Sequence, residues 1–215
     1  MPKGEQPTFI KICGITRVGD ARAATRAGAN AIGFLFAPSV RRISASKARQ
    51  IGTHVHPTVR KIGVFVDSSL DKVLQVAEEA DLDGVQLQGA ESASFIAELK
   101  GAKPSLFVSK VLRVKSRKGL DDYVNPGADA IMVDRRDPSD TTSAPRPVPL
   151  SWLTETSFDN LVVAGGLGPA NVGRLIREIR PWGVDVSSGV ESAPGKKDPE
   201  KIRAFVRAVR GAEGT

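Results

Sequence analysis

The chain has 215 residues, of which 31 are basic and 24 acidic, so its formal net charge at pH 7 is +7. This length suffices for one full-sized core and is short for two substantial domains, so we expect a single domain over residues 1–215. The apolar runs are far shorter than a membrane span, and the first residues lack the apolar segment of a signal peptide. A single cysteine cannot form an internal disulfide. We therefore expect a cytoplasmic protein with no membrane partner.

The positive charge by itself is compatible with nucleic acid, an anionic small molecule or a solvated basic surface. Aromatic residues are only 5% of the chain, and no basic run alternates with aromatic side chains on which single-stranded bases could stack. The densest basic stretch, residues 110–118, alternates with valine and leucine. It predicts a strand that leads into a polar loop, and we expect no nucleic-acid partner.

Short runs rich in valine and isoleucine alternate with segments of helical period along almost the whole chain. The predicted strands are Phe9–Cys13, Ala31–Phe36, Lys61–Val66, Gly84–Leu87, Leu106–Leu112, Ala130–Val133, Leu161–Ala164 and Gly183–Val186. Eight strand–helix units in about 200 residues are typical of a (β/α)8 barrel. An open flavodoxin-like sheet is the alternative, although it usually has fewer strands.

Helices are predicted between these strands from apolar residues spaced i, i+3, i+4 and i+7. Two such sets are Leu70, Val73, Leu74 and Ala77, and Val172, Leu175, Ile176 and Ile179. The last helix is expected to begin after the N-cap Asp198, with Pro199 in its first turn. Its buried face is predicted to contain Ile202, Phe205, Val206 and Val209.

In a (β/α)8 barrel the chemistry lies at the carboxyl ends of the strands. Strand one ends at Cys13, the only cysteine, and strand six is followed by Asp134. The two side chains would then face one pocket. A lone cysteine more often packs as a small apolar residue, so position alone leaves a purely structural role open.

Two glycine-bearing turns follow strands seven and eight and predict a phosphate site. The first is Ala164–Pro169, in which the proline is expected early in the first turn of a helix, and the second is Asp185–Glu191. Exposed backbone N–H groups and a helix N-terminus attract a phosphate dianion. The predicted phosphate-binding positions are Gly165, Gly166, Ser187, Ser188 and Gly189.

A long irregular stretch, Pro138–Pro149, contains four prolines and follows strand six. At that place in a barrel it would form an active-site loop or lid. The alternative is a surface excursion without function.

Several motifs resemble those of phosphoribosylanthranilate isomerase in order and spacing. They are Lys11–Thr16, Gly33–Phe36, Gly63–Val66, Val85–Leu87, Ala164–Leu167 and Val184–Glu191. The resemblance implies an Amadori rearrangement in tryptophan biosynthesis, which needs no cofactor and no metal. It also implies that Asp134 is the general acid and Cys13 the general base. The only histidines, His54 and His56, are predicted at the opposite rim of the barrel, so imidazole is not available for this chemistry.

The resemblance also implies a set of substrate-binding residues. Arg41 aligns best with the family's anthranilate-binding arginine, and Arg42 is the alternative because the loop is one residue shorter here. Lys11 is expected to stabilise the Cys13 thiolate, as is Arg41. Asp185 is expected to bind substrate hydroxyls or to orient the catalytic groups, with a structural role as the alternative.

Two departures from the family pattern are visible. Gln88 occupies the place of a histidine, and glutamine can form hydrogen bonds but cannot titrate. The glycine-rich loop after strand six is replaced by a proline-rich one, of which Trp152 alone matches the family. Two alternative functions therefore stay open: isomerisation of another amino-sugar phosphate, and non-catalytic binding of a phosphorylated ligand. In each case the partner is a phosphorylated small molecule, and both a monomer and a homodimer are compatible with the sequence.

Overall fold

The computed structural model describes residues 6–135, 147–154, 156 and 158–214. Its strands are β1 Phe9–Cys13, β2 Ala31–Leu35, β3 Arg60–Phe65, β4 Gly84–Leu87, β5 Phe107–Arg113, β6 Ala130–Asp134, β7 Leu161–Val163 and β8 Gly183–Val186. These eight strands form a closed barrel in sequential order. Since β1 pairs in parallel with both β2 and β8, the (β/α)8 prediction is confirmed and an open flavodoxin-like sheet is ruled out.

A helix follows each barrel strand along the chain. These helices are α1 Val18–Ala27, α2 Ala45–Gly52, α3 Leu70–Glu79, α4 Ala93–Ala102, α5 Lys118–Asp121, α6 Leu150–Leu153, α7 Val172–Ile179 and α8 Pro199–Arg210. Helix α8 starts as predicted, because the Asp198 side chain accepts hydrogen bonds from the backbone N–H groups of Glu200 and Lys201. None of the helices in the described ranges is long and apolar enough to cross a membrane.

Two details between β7 and α8 differ from the prediction. Helix α7 begins at Val172, so Pro169 lies in a turn before the helix and not in its first turn. That turn is closed by hydrogen bonds from the N–H groups of Asn171 and Val172 to the Gly168 carbonyl. A short antiparallel hairpin, β9 Glu191–Ala193 and β10 Lys196–Lys197, also intervenes between β8 and α8 and was not predicted.

The amino-terminal end of the barrel is closed by aromatic side chains. The Trp182 ring stacks on Phe9 at 4.7 Å and on Phe107 at 6.1 Å between ring centroids. Above them a small apolar cluster fills part of the interior, formed by Val111, Ala130, Met132, Val162 and Ala164. The two histidines precede β3 at this closed end, as predicted. The open mouth at the carboxyl ends is therefore the place to look for chemistry.

The loop predicted over Pro138–Pro149 lies mostly outside the described residues, which resume at residue 147. Two residues that flank this loop are described. Trp152 belongs to α6, and the Arg135 guanidinium lies 5.2 Å from the centroid of the Trp152 ring.

Candidate active site

The thiol of Cys13 lies at the tip of β1 and is 6% exposed. It is in register with Gly33 on β2, and a β-carbon at Gly33 would be 2.8 Å from Sγ of Cys13 and 3.1 Å from Nζ of Lys11. The absence of a side chain at Gly33 thus makes room for both groups. Nζ of Lys11 donates a hydrogen bond of 2.8 Å to Oδ1 of Asp185, its partner in register on β8. A buried thiol, ammonium and carboxylate therefore occupy adjacent positions.

Burial governs the electrostatics of this group. Burial raises the pKa of the Cys13 thiol, and the opposing effects of Lys11 and Lys197 do not offset it. Burial also lowers the pKa of Lys11, but the charge of Asp185, together with the thiolate form of Cys13, outweighs it and leaves that pKa raised. Lys11 is therefore an ammonium at neutral pH, and Cys13 is mainly a neutral thiol beside it.

Side chains from three parts of the chain come together above Gly14, the residue after Cys13: the loop after β2, the turn after β8, and β10. Gly14 has a φ of +77°, and a β-carbon there would lie 2.7 Å from Cδ of Arg41, 3.0 Å from Oγ of Ser187 and 3.4 Å from Nζ of Lys197. Of the two arginines after β2, Arg41 therefore points over the mouth, whereas Arg42 is exposed.

One edge of the Arg41 guanidinium is held by a carboxylate. Its Nε and Nη2 groups each donate a 2.7 Å hydrogen bond to Glu191 on β9. Its Nη1 group donates to none of the other described residues, so it is available to a second carboxylate.

Sequence reasoning missed two residues of this site, Glu191 and Lys197. The Lys197 side chain is 0% exposed, and its Nζ donates to Oε1 of Glu191 at 2.9 Å and to the Ser187 carbonyl at 3.0 Å. Glu191 was visible as the end of the motif after strand eight. Lys197 has no such signal, because a lysine pair just before a helix cap normally indicates a solvated surface.

Asp134 reaches the mouth from the end of β6, where it is in register with Arg113 on β5. Its Oδ1 atom lies against Gly165, whose φ is +84°, so closely that a β-carbon on Gly165 would overlap it. Strands β7 and β8 separate β6 from β1 in the barrel. Asp134 and Cys13 thus approach the mouth from the two sides of the glycine-bearing turns.

Those two turns pack backbone against backbone. The α-carbon of Gly189 lies against the Leu167 carbonyl, where a β-carbon would overlap it, and Gly166 has a φ of +63°. Among the described residues, none accepts a hydrogen bond from the N–H groups of Gly166, Ser188 or Gly189. Unpaired backbone N–H groups in neighbouring turns are the kind of donors that anion sites use.

Gln88 lies at the end of β4, on another part of the rim. Its side-chain oxygen is 3.1 Å from Nε2 of Gln86, and its backbone carbonyl accepts a 3.0 Å hydrogen bond from Arg113. The following residues are held by Lys110, whose Nζ donates to the Gly89 carbonyl at 2.5 Å and to Glu91 at 2.9 Å. Gln88 is therefore fixed in place on the β4 side of the mouth, away from the group around Cys13.

A cavity of about 820 Å³ lies at the other end of the molecule, lined by residues such as Thr8, Phe158 and Trp182. It contains none of the predicted site residues. Titratable groups and unpaired backbone N–H groups occur together at the barrel mouth, so the mouth is the better candidate for an active site.

Comparison with known proteins shows the family of the chain. A family model described as N-(5'-phosphoribosyl)anthranilate isomerase matches residues 10–208. The chain belongs to this family. The N-(5'-phosphoribosyl)anthranilate isomerase of Deinococcus radiodurans is 40% identical over 210 residues, which are 94% of this chain and 96% of that protein. The resemblance found in the sequence motifs is thereby confirmed.

Solved structures of phosphoribosylanthranilate isomerases share the architecture. The crystal structure of the Thermotoga maritima enzyme superposes with a TM-score of 0.87 at 36% identity, covering 95% of this chain and 99% of that one. Another, in complex with reduced 1-(o-carboxyphenylamino)-1-deoxyribulose 5-phosphate, has a TM-score of 0.80 at 35% identity, with coverage of 95% and 99%. The chain thus shares the family and the fold of these enzymes.

Proposed function

We propose that the barrel mouth isomerises N-(5-phosphoribosyl)anthranilate with Asp134 as general acid and Cys13 as general base. The observation that carries this assignment is their placement at the ends of β6 and β1, on either side of the two packed glycine turns. A substrate anchored by its phosphate on those turns would extend its sugar ring between the carboxyl group and the thiol.

The two proton transfers follow from these positions. Asp134 donates a proton to the ring oxygen of the ribose, the bond from that oxygen to C1 breaks, and the nitrogen lone pair forms an iminium. The Cys13 thiolate then removes the proton from C2, and the electrons of the C–H bond form the C1–C2 double bond of the enolamine. Tautomerisation gives the 1-deoxyribulose 5-phosphate. General acid and base catalysis contribute typically about 10²–10⁴-fold each.

The substrate's phosphate is assigned to the turns after β7 and β8. The proposed ligands are Gly165, Gly166, Ser187, Ser188 and Gly189, with the free N–H groups of the turns as donors. The ligand in one of the related structures is itself a 5-phosphate that carries a carboxyphenyl group. This supports a phosphorylated small molecule with a second anionic end as the ligand of this chain.

The anthranilate carboxylate is assigned to Arg41, because Glu191 already orients its guanidinium and leaves one side available. Lys11 and Asp185 form a buried pair beside the thiol, and we assign them to orienting Cys13 and the substrate hydroxyls. Gln88 is assigned a hydrogen bond to the substrate from the rim at β4.

A turnover assay with phosphoribosylanthranilate generated in situ tests this proposal, together with rescue of a tryptophan auxotroph that lacks this step. The wild-type chain should pass both tests, and Cys13→Ser and Asp134→Asn should fail the assay while still binding the product analogue. Turnover only on another amino-sugar phosphate would favour the first alternative function. Binding without turnover on any such compound would favour a binding protein.

The domain organisation, the compartment and the oligomeric state of the chain are also open to proposal and test. All assigned residues come from one barrel, so we propose that the chain works as a single domain. We also propose that it works in the cytoplasm, because its single cysteine cannot form an internal disulfide. Sedimentation of the purified chain would decide between a monomer and a homodimer.

A further inference from the structure

The hairpin β9–β10 places a buried lysine beside Gly14, the residue that follows Cys13. It is fixed to the β1–α1 segment by two hydrogen bonds, from Oγ1 of Thr16 to the Gly195 carbonyl at 2.7 Å and from the Lys197 N–H to Asp20 at 3.1 Å. Lys197 therefore cannot swing out to solvent as a surface lysine does. Its ammonium is held inside the molecule, next to the active site.

Lys197 joins three parts of the site. Its Nζ contacts the Ser187 carbonyl on the phosphate side and Glu191 on the carboxylate-binding side. Glu191 in turn holds Arg41 through two hydrogen bonds. The same Nζ lies above Gly14, the residue that follows Cys13. One side chain thus lies between the turn after β8, the carboxylate that holds Arg41, and the residue next to Cys13.

The charges around the thiol do not cancel. The charged side chains that act on Cys13, or that pair with those that do, come from β1, β8, the loop after β2, β9 and β10: Lys11, Asp185, Arg41, Glu191 and Lys197. Three of these are cations and two are anions, which leaves one positive charge in excess. Asp20, which binds the Lys197 N–H, is itself paired with Arg17, so this pair adds no net charge. Lys11 is neutralised by Asp185 at 2.8 Å, so the excess belongs to Arg41 and Lys197, which share Glu191. A buried excess of positive charge favours a nearby anion.

We propose that Lys197 is a positioning residue of this reaction, whose ammonium fixes Glu191 and Arg41 and stabilises the thiolate of Cys13. The proposal rests on the proposed role of Cys13 as the base. Sequence reasoning assigned thiolate stabilisation to Lys11 or Arg41. Lys11 does act on the thiol, but the charge of its partner Asp185 opposes this effect, and Arg41 shares Glu191 with Lys197. Burial lowers the pKa of Lys197 and the ion pair with Glu191 opposes this, so Glu191 also helps to keep the ammonium charged.

The thiolate of Cys13 can be titrated by its ultraviolet absorbance, since the chain has one cysteine. The Cys13→Ser protein supplies the baseline, because it keeps the single tyrosine, which also absorbs when ionised. In Lys197→Met we expect the midpoint of the thiolate titration to move up by about one pH unit. Turnover below that midpoint should then fall by about tenfold, and KM should rise because Arg41 loses its support. Lys197→Arg, which keeps the charge, should retain the wild-type midpoint.

Lys196→Met is the matched control, since Lys196 is the exposed neighbour on the same hairpin, and it should behave as the wild type. If Lys197→Met does not fold, Lys197→Gln gives the same test with a neutral side chain that can form hydrogen bonds. An unchanged midpoint in a folded neutral variant, with Cys13→Ser inactive, would overturn the role of Lys197 and leave the role of Cys13 intact. Full turnover by Cys13→Ser would overturn both.

Discussion

Oδ1 of Asp134 lies directly against the α-carbon of Gly165, so the tips of β6 and β7 touch at the proposed acid. Any side chain at position 165 would have to displace that carboxyl group. Gly165 has a positive φ, which also favours glycine for backbone reasons. The two effects can be separated, because another glycine shares the backbone conformation without the contact.

We predict that Gly165→Ala lowers kcat by about 100-fold, because a displacement of about 1 Å at a catalytic group has effects of that order. Gly127→Ala is the matched control, since Gly127 has a φ of +93° and a β-carbon at that position would meet no described atom within 4 Å. Both variants should lose stability of about 1 kcal/mol from the strained backbone. Steady-state kinetics and thermal unfolding of the pair check this. Equal kcat values in the two variants would show that the contact between Gly165 and Asp134 does not matter for turnover.

The contact between the two glycine turns gives a second prediction. A β-carbon at Gly189 would overlap the Leu167 carbonyl, whereas one at Gly168 would come no closer than 3.7 Å to any described atom. Gly189→Ala should therefore push the turns apart and weaken binding of inorganic phosphate by about tenfold, which is about 1.4 kcal/mol. Gly168→Ala should bind nearly as well as the wild type. Calorimetric titration with phosphate measures both, and unchanged affinity in Gly189→Ala would place the phosphate elsewhere.

Local sequence patterns were sufficient for the barrel and for the strand ends that carry Cys13 and Asp134. The side-chain period of strands and the helix cap at Asp198 depend only on near neighbours in sequence. The error at Pro169 has a local cause. Proline is favoured both at the first position of a helix and at the second position of a β-turn, and the sequence does not distinguish them.

The charges of the site could not be predicted in this way. Arg41 and Glu191 are 150 positions apart in sequence, and no local pattern reports that they form an ion pair. The Cys13 pKa is raised because the thiol is buried, and burial is defined only by the folded chain. Sequence reasoning named the proposed acid and base, and the structure supplied the charged residues that lie beside Cys13.

The choice between the two arginines after β2 can be tested by exchange for lysine. Lysine keeps the charge but cannot form the two parallel hydrogen bonds by which Arg41 holds Glu191. Arg41→Lys should raise KM by about tenfold, with a smaller effect on kcat. Arg42→Lys is the control and should leave both constants unchanged, since Arg42 is exposed. The reverse pattern would assign the substrate carboxylate to Arg42.

The last prediction concerns the pH dependence that Cys13 imposes. Cys13→Ser and Asp134→Asn should each reduce kcat by about 10²–10⁴-fold, with much smaller changes in KM. In the Asp134→Asn protein the acid no longer titrates, so the residual kcat/KM should report the base alone. A base acts only when deprotonated, and burial raises the pKa of Cys13 above its ordinary value. The residual kcat/KM should therefore rise about tenfold per pH unit through neutrality and level off only in the alkaline range.

The same midpoint should appear when the thiolate of the unliganded Asp134→Asn protein is titrated by its ultraviolet absorbance, because kcat/KM reflects the free enzyme. Agreement between the kinetic and spectroscopic midpoints would identify Cys13 as the group that must lose its proton. The double variant Cys13→Ser/Asp134→Asn is the control, and its remaining activity should show no such rise. A flat profile in Asp134→Asn, or a rise that persists in the double variant, would show that another group is the base, and Asp185 would be the next to replace.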